Sequence, residues 1–112
     1  MKKSFAAWKN ERFVPPAGVR SAAKRGLKWH KEGLSGDGLV SRTVSEATSI
    51  SKGESQSLDK VKRMRAWFSR HEVDKQSPKW NDPSPGKVAW ELWGGDAGKS
   101  WSEGIMRRVE KK

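Results

Sequence analysis

Ser57-Leu58-Asp59-Lys60-Val61-Lys62-Arg63-Met64-Arg65-Ala66-Trp67-Phe68-Ser69-Arg70-His71-Glu72-Val73 is the stretch that decides the fold class. Wound at about 100° per residue, it gathers Leu58, Val61, Met64, Phe68 and His71 on one face, with Trp67 at the edge. Lys62, Arg63 and Arg70 fall opposite, around the small Ala66. Ser57 has the hydroxyl of an N-cap, and Asp59 sits in the first turn, where a carboxylate meets the positive end of the helix dipole. The spacing predicts a helix to about Val73 with one buried and one basic side.

A second helix is predicted upstream, from Gly18 to about Glu32. Val19, Ala22, Ala23, Gly26, Leu27, Trp29 and His30 share one side of it. Arg20, Lys24, Arg25, Lys28 and Lys31 share the other. Ala22, Ala23 and Gly26 are small enough for a partner helix to approach closely, and Gly33 supplies the stop. Leu34 to Gly38 reads as a turn. Leu39 to about Ile50 repeats Val40, Val44 and Ala47 at helical spacing, and Ser51 to Gln56 reads as a loop.

Downstream, Asp74 to Pro83 is an irregular connection. Ser84-Pro85 then reads as an N-cap with proline at the first helical position, opening a helix to Trp93. Its expected buried side is Val88, Ala89, Leu92 and Trp93. Gly94-Gly95 ends it, and Asp96 is expected to cap a last helix to about Val109, with Ala97, Trp101, Gly104, Ile105 and Val109 inward. No segment sustains a two-residue alternation, so no sheet is expected. Residues 1–17 close on Phe13-Val14-Pro15-Pro16, and paired prolines favour extended chain. The expected architecture is all-α: an extended N-terminal arm over 1–17, its Phe5, Trp8 and Phe13 placed to dock, and one small domain of four to five short helices over 18–112.

Composition agrees only once tryptophan is counted. Leu, Ile, Val and Phe make up about 16% of the 112 residues, below the roughly 20% at which highly charged chains become disordered. Seven tryptophans reverse that reading, because each can bury about 150–250 Å². The formal net charge is +11, with 24 Lys+Arg against 13 Asp+Glu. Each half of the chain carries about half of the excess, so the positive field belongs to the whole body. Without cysteine there is no disulfide framework and no thiolate zinc site or nucleophile. No run of about 18 apolar residues spans a membrane, and the opening Met1-Lys2-Lys3 stretch lacks the apolar region of a secretory signal.

Ala23-Lys24-Arg25-Gly26-Leu27, the stretch from Arg63 to Lys75 and the stretch from Ser84 to Gly98 together resemble a small helical module of tailed bacteriophages. The likeness covers roughly residues 18–109, and Ala89-Trp90-Glu91-Leu92-Trp93-Gly94-Gly95-Asp96-Ala97-Gly98 is its most distinctive part. The module occurs alone or attached to other phage proteins, some encoded near head-assembly genes. The resemblance implies a phage source and carries no established activity. Residues 36–56 depart most from it. Strong basicity is not general in it either, so a DNA role rests on this chain's own charge.

Gly94-Gly95-Asp96-Ala97-Gly98-Lys99-Ser100 superficially suggests a phosphate loop. It is one residue short, with Trp93 where the first glycine belongs, and no strand precedes it. A helix stop followed by a cap is the better reading. His71-Glu72 lacks the second histidine of a zinc-protease motif, and His30 and His71 both fall on apolar faces. No paired carboxylates or Ser/His/Asp order mark catalysis, so an enzyme is not expected, nor a metal or cofactor. Trp67, Trp80 and Trp90 are best placed for exposure and base stacking, although core filling claims most of the tryptophans.

The basic faces carry the functional reading. A charged helix face is ordinarily just solvated. Arg20, Lys24, Arg25, Lys28 and Lys31, however, have only Glu11 and Glu32 nearby in sequence to neutralise them. Lys62, Arg63 and Arg70 form a second surface, and Lys79 and Lys87 add basic turns. Each is a phosphate row that gives affinity without sequence readout. The expected function is a basic phage-encoded nucleic-acid-binding protein, for DNA rather than RNA, located in the host cytoplasm or the virion. The alternatives are a head-associated structural protein on an acidic capsid surface, or an inhibitor of an acidic host protein. No membrane partner is expected.

Overall fold

The computed structural model describes residues 10–36, 41–81 and 84–110. Five helices form among them: α1 (Ala17–Lys31), α2 (Ser41–Ser51), α3 (Leu58–His71), α4 (Pro85–Leu92) and α5 (Gly95–Glu110). A short 3-10 turn, Glu72–Gln76, follows α3. The fold is therefore all-α. One small addition lies outside the helical pattern. Arg12–Phe13 (β1) pairs antiparallel with Gln56–Ser57 (β2), Arg12 opposite Ser57 and Phe13 opposite Gln56. Two residues per strand are too few to leave an alternating signature, so the ladder went unseen in the sequence.

Helix α1 is the hub, packing on α2, α4 and α5, while α3 packs on α5. Its buried residues are Val19, Ala22, Ala23 and Gly26, the face expected from winding. The small-residue face is filled from within the chain. A Cβ at Gly26 would lie 2.7 Å from the Leu92 amide nitrogen and 2.9 Å from Leu92 Cγ, so α4 presses its backbone against this position. The α4–α5 corner needs glycine for a different reason. Gly94 and Gly95 adopt φ of 121° and 67°, which lets the chain reverse within two residues against Val19 and Ala22.

The core comprises three clusters, of which the first two share Trp101. Val19, Ala23, Ile50, Met64, Phe68 and Trp90 form the first, with Trp67, Trp80, Trp93 and Trp101 packed against it. Phe13, Leu58, Val61, Ile105 and Met106 form the second. Ala47, Val88 and Leu92 form the third, under Leu27, Trp29 and Leu34. Phe13 brings the end of the arm into the core; Phe5 and Trp8 lie outside the described residues, as do Leu39 and Val40. No helix of the described residues is long and apolar enough to cross a membrane.

Several expected faces are rotated. Trp90, read as exposed, is 2% exposed. Its ring meets Phe68 edge-on at 4.8 Å, and Nε1 donates to Asp96 Oδ1 at 2.9 Å. Trp67 and Trp80 are half-buried against the same cluster, so none of the three is a free stacking platform. Asp96 serves that indole and Lys75 from inside the first turn of α5, rather than capping the helix. Helix α5 buries Gly95, Gly98, Ser102, Ile105 and Met106, and leaves Ala97 exposed. Ser102 is tolerated inside because its hydroxyl donates to the Lys99 carbonyl at 3.1 Å. His30 Nδ1 pairs with Ser35 Oγ at 2.7 Å, and the half-exposed His71 pairs with Asp74.

Candidate polyanion-binding surface

The ten basic residues read as phosphate contacts separate into two groups. Lys24, Lys28 and Lys31 are exposed along one edge of α1 and make no ion pair among the described residues. Spacings of four and three residues keep them in one row on the helix surface. Lys24 and Lys28 are offset by about 6 Å of helix rise. That is close to the roughly 6.8 Å axial rise of alternate phosphates on one strand. Arg70 at the end of α3 and Lys79 in the following loop are also exposed and without ion pairs among the described residues. Lys62 is exposed beside the Arg65–Glu110 pair, in which Arg65 donates through both Nη atoms at 2.7 and 2.9 Å.

The remaining residues hold the fold. Arg20 Nη1 donates to the Pro15 carbonyl at 2.7 Å and ties the arm to α1. Arg25 reaches across to α4 and donates to Glu91 Oε2 at 3.1 Å. Burial pushes the Glu91 carboxyl above its ordinary range, and attraction to Arg25 and Lys87 offsets only part of that. Lys87 donates to Asn81 Oδ1 at 2.9 Å. Arg63 is shared between Asp59 of its own helix at 3.4 Å and Glu46 of α2 at 3.2 Å.

A second basic grouping has no counterpart in the sequence reading. Glu46 accepts from Lys60 at 2.6 Å and Arg63 at 3.2 Å and is ion-paired with Arg42 at 3.1 Å, and Arg12 stands close by on β1. Lys60 is only 5% exposed, and its ammonium lies 4.2 Å from the Trp93 ring centroid. Burial pushes the Lys60 ammonium below its ordinary range against the pull of Glu46. Burial also opposes charging Glu46, yet the hydrogen bonds from Lys60 and Arg63 prevail and hold its carboxyl low. Trp93 continues the arrangement by stacking on Trp67 at 5.0 Å, and Trp67 stacks on His71 at 4.4 Å. The signal for this edge was the spacing itself: Lys60 lies one turn before Met64, and Lys60, Trp67 and His71 recur at seven and four residues. Arg12 and Arg42 left no such trace, because a strand pair and an ion pair between separate elements bring them in.

Compared with known protein families, characterised proteins and solved structures, the chain shows no match.

Proposed function

We propose that the chain is a nucleic-acid-binding protein, not an enzyme, that grips the phosphates of DNA without reading its sequence. The observation that supports this most is the row of Lys24, Lys28 and Lys31, exposed and without carboxylate partners among the described residues, on a body of net charge +11. Arg70, Lys79 and the outer part of Lys62 extend the positive surface. On this reading Arg20, Arg25, Arg63 and Lys87 act on the fold first and on the polyanion only through their field. The likeness to a phage module makes the viral or packaged genome the natural polyanion.

Fluorescence anisotropy with labelled duplex DNA, single-stranded DNA and RNA, from low to physiological salt, tests it. Three lysine–phosphate contacts give a log–log salt slope of about −2.7 on duplex DNA. Lys24→Glu with Lys28→Glu should weaken binding to all sequences alike and flatten the slope by about 2. A salt-independent affinity, or a loss confined to one sequence, would overturn the reading. Binding only to an acidic protein, with none to nucleic acid, would replace it with the capsid or host-protein alternative.

A further inference from the structure

An open concavity of about 410 Å³ lies between α2, the β1–β2 pair and the first turn of α3. All of its lining residues are polar or charged. Four of them are cations, Arg12, Arg42, Lys60 and Arg63, against two carboxylates, Glu46 and Glu54. Glu46 is already divided among three of the cations. Arg12 is held by neutral groups, donating to Ser55 Oγ at 3.2 Å and to the Ser55 carbonyl at 2.7 Å. The lining thus carries two more cations than carboxylates, and only Arg63 has a further carboxylate partner among the described residues, the exposed Asp59 at 3.4 Å.

The donors needed to hold an anion are also left over. Arg42 is only ion-paired with Glu46, its Nε 3.1 Å from Oε1, and is 71% exposed, with both Nη groups unengaged among the described residues. Arg63 uses Nε and Nη1, and Arg12 uses Nε and Nη2, so each keeps a further Nη group. Ser55 and Ser57 each accept through Oγ, from Arg12 Nε and from the Lys60 amide, which leaves their O–H free to donate. Guanidinium forks with adjacent hydroxyls match a phosphate's oxygens. A volume of about 410 Å³ exceeds what a lone phosphate fills, yet no apolar or aromatic wall is present to bury a base. A sugar suits the remaining polar space.

We propose that this cleft binds one phosphorylated sugar, with its phosphate against Arg12, Arg42 and Arg63 and the Ser55 and Ser57 hydroxyls. Glu46 and Lys60 are the frame: Lys60, pinned between Glu46 and Trp93, fixes the carboxylate that in turn aims Arg42 and Arg63. The site is separate from the α1 lysine row and stands independently of it. The phosphosugar could be a free sugar phosphate or the phosphorylated end of a nucleic-acid strand, and two probes distinguish these sources.

Calorimetric titration of the full chain with ribose 5-phosphate, in phosphate-free low-salt buffer, is the first arm. An oligonucleotide compared with and without a 5′-phosphate is the second. Arg42→Ala is the diagnostic variant, since that side chain is largely in solvent and its removal leaves Lys60 and Arg63 on Glu46. Saturable binding of ribose 5-phosphate, absent for ribose and about tenfold weaker in Arg42→Ala, supports the site. A 5′-phosphate preference of the oligonucleotide that disappears in Arg42→Ala supports it too, and assigns a strand end as the source. Lys24→Glu with Lys28→Glu should leave ribose 5-phosphate binding unchanged while weakening general nucleic-acid affinity, so the two readings fail separately. The proposal is overturned if neither probe shows binding that Arg42→Ala weakens, or if ribose binds as well as its phosphate.

Discussion

Glu91 and Asp96 stand five positions apart and respond oppositely to pH. Burial raises the Glu91 carboxyl, so its protonated form is favoured in the folded chain. The stability it contributes is complete below its ordinary value of 4.5 and is lost as pH rises through the raised value. Glu91→Gln, which mimics the protonated acid, should therefore gain stability relative to the parent between pH 4 and pH 7. Urea unfolding followed by circular dichroism at both pH values checks the sign. Hydrogen bonds from Lys75 and Trp90 lower Asp96, whose contribution is complete above its ordinary 3.8 and lost as pH falls through the lowered value. At Gly26 the constraint is steric. With backbone of α4 only 2.7 Å from a Cβ, Gly26→Ala should cost about 1–3 kcal/mol in the same urea assay, despite alanine's better helix propensity. A stabilised Gly26→Ala would mean that α4 yields easily.

At the scale of elements, α2 is tied to α3 chiefly through Glu46. Glu46→Gln keeps the shape but removes the charge facing the buried Lys60, and should cost roughly 2 kcal/mol. Lys60→Met should cost less, because it withdraws the buried ammonium along with its need for a partner. Equal losses would show that the charge is well solvated. The helices themselves were legible: α1 and α3 showed their buried faces through winding, and Ser57 and Ser84 cap α3 and α4 as read, accepting from the Lys60 and Lys87 amides. What escaped were positions where one helix has two partners. Helix α4 buries Leu92 and Val88 with Ala47 but turns Trp90 into the Phe68 cluster, so no single stripe describes it. On α5, Gly98 and Ser102 are inside because bulk is excluded, with Phe68 Cζ 3.3 Å from a Cβ at Gly98. Hydrophobicity cannot signal a site chosen for smallness.

For the molecule as a whole, the charge excess is a property of the surface that folding selects. The ten candidate contacts were legible as basic, but not how many would be consumed internally. Arg25 meets Glu91 66 residues away and Arg63 meets Glu46 17 residues away, distances at which sequence neighbours say nothing. The exposed remainder should couple polyanion binding to stability. Duplex DNA is expected to raise the thermal midpoint at low salt, with the gain shrinking toward physiological salt and smaller in Lys24→Glu with Lys28→Glu. A midpoint indifferent to DNA at low salt would count against the lysine row. Six of the seven tryptophans lie among the described residues; all pack in or against the three core clusters, and Trp101 bridges two of them.

The cation above Trp93 has an optical consequence. An indole with an ammonium 4.2 Å from its centroid, and a near-parallel indole at 5.0 Å, emits according to the local electric field. A phosphate seated on Arg42 and Arg63 competes for their pairing with Glu46, the partner of Lys60, and so should change that field. The chain has no tyrosine to dilute the signal. Filling the proposed site should therefore shift the protein's own ultraviolet emission, and Trp93→Phe should lose that shift.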